Sequence, residues 1–133
     1  MLRRKLNEVI PSQYSVFNKL TGGDPYYFDK WASDKYGVLC LYYWFWDKSK
    51  TKPNKKRVPV SEIEATVRIL LQNGNFSRED FRENCPISES GGSCGFAVIG
   101  RILEYLGVAS YVGLGKGFRL TNREFAQRIL ENL

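Results

Sequence analysis

Six of the 20 basic side chains in this sequence, Lys48, Lys50, Lys52, Lys55, Lys56 and Arg57, fall within ten positions. Cations at that density could neutralise a polyanion and release its condensed counterions. The rest of the chain carries 14 basic against 14 acidic residues, so the whole formal excess of +6 sits in this stretch. Charge runs are often no more than solvated loops. Here Pro53 and Asn54 offer a turn at the tip, and a basic hairpin reaching phosphates is the functional reading. Residues 38–46, just before it, read VLCLYYWFW. Tyr42, Tyr43, Trp44, Phe45 and Trp46 have the rings to stack on unpaired bases. An unbroken apolar run leaves no polar face, however, so core or a subunit interface is the expectation for these rings.

Other chemistry is thinly represented. The chain has no histidine, which removes imidazole acid–base catalysis and the common zinc sets. Asp24, Asp29, Asp34 and Asp47 show no spacing that would gather them around a metal, and no catalytic residue, metal or cofactor is expected. Gly113, Gly115 and Gly117 lack the lysine–serine pair of a phosphate loop. Cys40, Cys85 and Cys94 are odd in number and lack the CxxC spacing. They read as reduced, buried residues, while a Cys85–Cys94 bridge closing the loop between them stays open as an alternative.

A chain of 133 residues with 43% hydrophobic content has the length for one core. Residues 2–10 suit a short helix that stops before Pro11, and 21–25 (TGGDP) form a turn. Residues 26–36 are rich in aromatics at weakly helical spacing. The aromatic run 38–46 reads as a strand, with a return strand at 56–60 that Pro59 confines to an edge or to its last residues. Beyond residue 60, Ser61-Glu-Ile-Glu64, Ser77-Arg-Glu-Asp80 and Thr121-Asn-Arg-Glu124 each fit the capping box that opens a helix. They predict helices over 61–73, 77–84 and from 123 towards Leu133. A further helix is expected over 96–106, after a polar, glycine-rich stretch at 88–95. Two short strands, 108–112 and 117–120, are joined by the glycines of a tight reversal.

Helix, short helix, helix and a glycine-tipped hairpin, over residues 61–122, resembles a winged helix-turn-helix domain. The most specific stretch is IGRILEYLGVASYVGLGKGFRLT, residues 99–121, with Ile99, Arg101, Ile102, Leu103, Leu106, Gly107, Leu120 and Thr121 in the superfamily's pattern. The resemblance implies an α+β fold: three helices plus a β-hairpin wing at 61–133, following an aromatic-rich N-terminal subdomain at 1–60. It also implies that the third helix enters a major groove about 12 Å wide. Base-reading residues would then be Ser93, Phe96, Ala97, Gly100 and Arg101, and wing contacts Lys116 and Arg119. The pattern is interrupted by an apparent insertion at 87–95.

The expected role is non-enzymatic binding of double-stranded DNA, as a small transcriptional regulator or an accessory protein of a mobile element, with a homodimer allowed. A rival of another class is a winged helix that binds protein through Phe96 and Ala97. It is favoured because Arg101 is the only cation of the third helix and Glu104 would repel phosphate. A single-strand or RNA binder using the aromatics is a third reading. No apolar run reaches the roughly 18 residues of a membrane span, and no signal segment is evident, so the expectation is a cytoplasmic protein without a membrane partner.

Overall fold

The structure is a computed structural model that describes residues 1–131. Among these the chain is α+β, with six helices, a four-stranded antiparallel sheet and a three-stranded sheet. No helix among the described residues is long and apolar enough to cross a membrane.

Helix α1, Leu2–Val9, buries Leu2, Leu6 and Val9 and turns Arg3, Arg4 and Glu8 outward. Strands β1 (Val16–Phe17), β2 (Tyr26–Ser33), β3 (Leu39–Trp46) and β4 (Pro53–Pro59) pair in sequence order. The segment at 26–36 is therefore a strand over most of its length, not a helix. A bulge between Phe28 and Lys30 inserts Asp29 into β2. The core-facing rings Tyr26, Phe28 and Trp31 are consequently spaced by two and then by three, and that three-residue step imitates a helical period. Trp31 fixes the strand to the first helix by donating its indole N–H to the Ile10 carbonyl at 3.0 Å.

The return strand is longer than its sequence suggests. Pro53 and Asn54, expected at a hairpin tip, lie within β4 opposite Trp46 and Phe45. The turn is residues 47–52, organised by Asp47. Its carboxylate accepts from the Thr51 N–H at 2.8 Å and from the Thr51 and Ser49 hydroxyls, and its N–H donates to the Lys52 carbonyl. β4 is an edge strand and Pro59 is its last residue, so neither proline deprives the sheet of an interior hydrogen bond.

Strand β4 passes directly into helix α2, Val60–Asn73. The capping box expected at Ser61 does not form. Pro59 occupies the cap with φ −65° and ψ 141°, and Ser61 already lies inside the helix without a side-chain cap bond. Burial of Val60, Ile63 and Val67 sets this phase. Gly74, at φ 79°, ends α2 with its N–H on the Leu70 carbonyl. After β5 (Asn75–Phe76), helix α3, Arg78–Asn84, does open on the expected box: the Asp80 N–H donates to Ser77 Oγ at 3.1 Å, and the Ser77 N–H to Asp80 Oδ2 at 2.9 Å.

The polar insertion at 87–95 is partly a helix, α4, Pro86–Ser90. Glu62, buried in α2, anchors its start. The carboxylate accepts from the N–H groups of Ile87 and Ser88, both at 2.9 Å, and from the Ser88 hydroxyl at 2.7 Å. The buried carboxyl oxygens are satisfied there because these three donors replace the water they would otherwise bind. Helix α5, Cys94–Tyr105, leads into β6 (Ala109–Tyr111) and β7 (Phe118–Leu120). The small sheet has the order β5-β7-β6. Helix α6, Arg123–Ile129, is capped by Asn122, whose side chain accepts from the Phe125 N–H, rather than by Thr121. Thr121 is still engaged with the strands, donating its N–H to the Val108 carbonyl. The end of the expected helix, at Leu133, lies outside the described residues.

One hydrophobic cluster runs from Leu2 to Ile129 and joins both sheets. In its C-terminal part Phe76, Phe81 and Phe118 surround Phe96 at ring-centroid distances of 5.3–5.9 Å. The contact is close because α5 presents glycine there: a Cβ on residue 100 would overlap the Phe118 ring. Gly100→Ala should therefore cost about 1–3 kcal/mol by overpacking, read as a lower urea midpoint at unchanged m-value.

Candidate nucleic-acid interface

Helix α5, for which the winged-helix resemblance implies base reading, is an interior element. Phe96, Ala97 and Gly100 are buried, as are Gly95, Val98 and Ile99. The physical reason is coverage from several sides. Phe118 fills the notch at Gly100, Phe81 lies against Gly95, and the N-terminal segment crosses the remaining face. There Tyr105 donates its hydroxyl proton to the Val16 carbonyl, and Arg101 Nε donates to the Asn18 carbonyl at 3.0 Å. Arg101 also holds Glu104 at 2.7 Å, and Glu104 accepts the Tyr111 N–H at 2.9 Å. Its guanidinium is spent on internal partners. Of the five proposed readers only Ser93 is openly exposed. The same burial removes Phe96 and Ala97 as a surface for a protein partner.

Lys48, Lys50 and Lys52 lie in the β3–β4 turn, and Lys55, Lys56 and Arg57 on β4. Lys48, Lys50, Lys52 and Lys55 are exposed, and Lys56 and Arg57 are half-buried. Two of the six have acidic partners: Lys50 with Asp24 at 3.3 Å and Arg57 with Asp34 at 3.4 Å. Lys48, Lys52, Lys55 and Lys56 have none within 4 Å among the described residues, and the wing residues Lys116 and Arg119 are exposed and likewise unpaired. The two hairpins border the same turn. On one side a cavity of about 550 Å³ lies between Lys19, Asp24, Trp46, Lys48 and Lys50. On the other, Leu20 and Thr21 line a smaller pocket together with Leu114 and Gly115 of the β6–β7 tip.

Strand alternation divides the aromatic run in a way its composition conceals. Leu41, Tyr43 and Phe45 face the core, whereas Tyr42, Trp44 and Trp46 face outward with Trp46 41% exposed. The run has no polar face; its outward side is aromatic, so only the inward rings Tyr43 and Phe45 lie against the core. Register adds neighbours from both flanking strands. Tyr27 lies opposite Trp44, and Lys30 opposite Tyr42; Lys55 and Arg57 lie opposite the same two rings from the other side. Tyr27 and Trp44 stack at 4.7 Å with 26° between planes, Trp46 stands edge-on to Trp44 at 5.2 Å, and Lys30 Nζ sits 5.4 Å over the Tyr42 ring. Sequence reasoning missed Tyr27 and Lys30, whose signal was the alternation hidden by the bulge at Asp29.

One end of this face is closed by a polar cluster. The Asp34 carboxylate accepts from the N–H groups of Tyr36 and Val38 at 2.9 and 3.0 Å, faces Arg57, and overlies the buried Cys40 thiol. The Val38 N–H is the main cause holding Asp34 below its ordinary value of 3.8, helped by Tyr36 and Arg57 against the opposing effect of burial. Burial and the Asp34 charge push the Cys40 thiol up. Burial, with Glu62 nearby, raises Cys85 to about 12. All three cysteines are free, so the Cys85–Cys94 bridge is not formed. Among the described residues no cluster of His, Cys, Asp or Glu could hold a metal ion.

Compared with known protein families, characterised proteins and solved structures, the chain matches none. Its role is left to its own geometry.

A depressed carboxylate stabilises the fold above its unfolded pKa, and that contribution is lost as pH falls through the folded value. The Asp34 contribution should be present above the unfolded value of about 3.8, decline as pH drops below it, and be gone once pH has fallen through the lower folded value. Asp34→Asn should lower stability at neutral pH and flatten the acid limb, as measured by urea unfolding across a pH series.

Proposed function

We propose that this chain is a non-enzymatic DNA-binding protein whose C-terminal half is a winged-helix unit adapted to bind through its hairpins. What supports the winged-helix reading is the element order from α2 to β7, helix–strand–helix–helix–helix–strand–strand, with β7 between β5 and β6. With α4 set aside as an extra element, that order supports a plan of three helices and a wing. In this reading α5 acts as the structural axis of the unit and not as a groove reader, since its apolar surface is consumed by Phe118, Phe81 and the N-terminal segment.

The observation that carries the DNA reading is the placement of unpaired cations on two hairpins that flank one turn. Lys48 and Lys52 in the β3–β4 loop, Lys55 on β4, and Lys116 and Arg119 on β6–β7 give phosphate contacts without base readout. Affinity should then be electrostatic and largely independent of sequence, as suits an accessory or architectural DNA protein more than an operator-specific regulator.

Binding to duplex DNA should weaken steeply with salt, each phosphate contact adding about 0.9 to the slope of log K against log salt. Changing Lys48, Lys52 and Lys55 together to Ala should reduce that slope by about 2–3 and leave urea stability unchanged, because all three are exposed. Fluorescence anisotropy over a salt series measures it. An unchanged slope would remove the loop from the interface.

A further inference from the structure

We propose that the outer face of the four-stranded sheet is a second contact surface, one that takes single-stranded DNA by stacking unpaired bases on Tyr42, Trp44 and Trp46. The proposal rests on the reading that DNA is the partner and deepens it, because duplex DNA offers base edges and phosphates but no free base planes.

Three independent features of the face converge on this ligand. The first is geometry. Outward positions two apart on a strand are about 6.7 Å apart along the backbone, and the Trp44 and Trp46 rings meet edge-on at 5.2 Å with their planes at 90°, so they offer stacking planes in two different directions. The second is the chemistry of the rings. Trp46 has 41% of its surface exposed, and Trp44 is supported from one side by Tyr27 at 4.7 Å, so both are held as platforms on a rigid sheet. Aromatic stacking accepts any base, because every base has a π-face.

The third feature is charge, which identifies the partner as an anion. Lys55 and Arg57 line one side of the ring ladder and Lys30 the other. Together with Tyr42 and Lys56 they line an open pocket of about 210 Å³, whose one acidic lining residue is Asp29. Arg57 is held at its edge by Asp34. A pocket with four cations and one acid suits a single backbone phosphate. At the other end, Trp46 leads into the basic loop at 47–52, so a strand lying along β3 meets cations at both ends and rings between them. An apolar protein partner would have no use for this frame of charge.

The test uses the full chain and three labelled probes, a 12-mer of deoxythymidine, the matching RNA 12-mer, and a 12-base-pair duplex, followed by anisotropy and by intrinsic tryptophan fluorescence. The expected result is tighter binding of the single strand than of the duplex, with tryptophan quenching. Trp46→Ala should weaken single-strand binding about five- to a hundredfold while duplex binding stays within twofold. Trp46 stands at the strand end, and circular dichroism confirms that the variant folds; Trp44→Phe, which keeps an aromatic plane, should lose much less. RNA binding equal to that of single-stranded DNA supports the proposal, since stacking and phosphate pairing serve both. RNA bound tenfold tighter overturns the assignment to DNA. Duplex binding with no single-strand preference, or a Trp46→Ala variant that binds the single strand unchanged, overturns the sheet-face proposal and leaves the DNA reading standing. Failure of all three probes overturns both.

Discussion

Much of this molecule depends on how closely Phe118 approaches α5. The ring occupies the space a side chain on residue 100 would need, and that fit draws the β6–β7 hairpin onto the helix. Phe76 and Phe81 then close around Phe96 from the neighbouring elements. Close packing of this kind is intolerant of added volume, because interiors are filled to crystal-like density. It also decides what α5 is available for. A helix enclosed by rings, with Arg101 and Tyr105 tied to the N-terminal segment, is committed to holding the fold. The surfaces left uncommitted by this packing are those of the hairpins and the outer face of the sheet.

The sheet shows how an entirely apolar strand can serve two purposes. Pleating sends alternate residues of β3 to opposite faces, so Tyr43 is buried while Trp46 remains open to solvent. The outward rings are flanked by Lys30, Lys55 and Arg57, whose charge discourages edge-to-edge and face-to-face association of apolar surface. The same cations that keep such a face soluble would give it affinity for a polyanion.

Local rules made the C-terminal half legible. The box at Ser77, the stop at Gly74 and the glycine-tipped reversal before Phe118 all depend on residues within a few positions, and each forms as its sequence predicts. Where a longer-range contact competes, local chemistry yields. Ser61 loses its capping role because β4 continues to Pro59, and Thr121 because its N–H is bound to Val108. The bulge at Asp29 hid a strand by changing the step between buried rings. The basic loop was legible as composition alone. The outward ring ladder was not, since knowing that Trp44 and Trp46 share a face with Tyr27 and Lys55 requires the register of three strands. Burial of α5 was equally hidden, as its covering residues at 16 and 18 lie far away in sequence.

The passage from β4 into α2 has a mechanical meaning. Val58, Pro59 and Val60 are all buried, and no residue of loop separates strand from helix. A hinge needs at least a few positions free to change φ and ψ, and this joint offers none. Strand and helix therefore behave as one stiff beam, and a load applied at the cationic end of the hairpin is delivered to the far end of α2. There Gly74 accepts the Leu120 N–H and ties the helix to the small sheet. A polymer gripped by both hairpins would find them fixed in spacing, as the jaws of a rigid gauge are, so selection would act on the shape of the polymer and not on rearrangement of the protein.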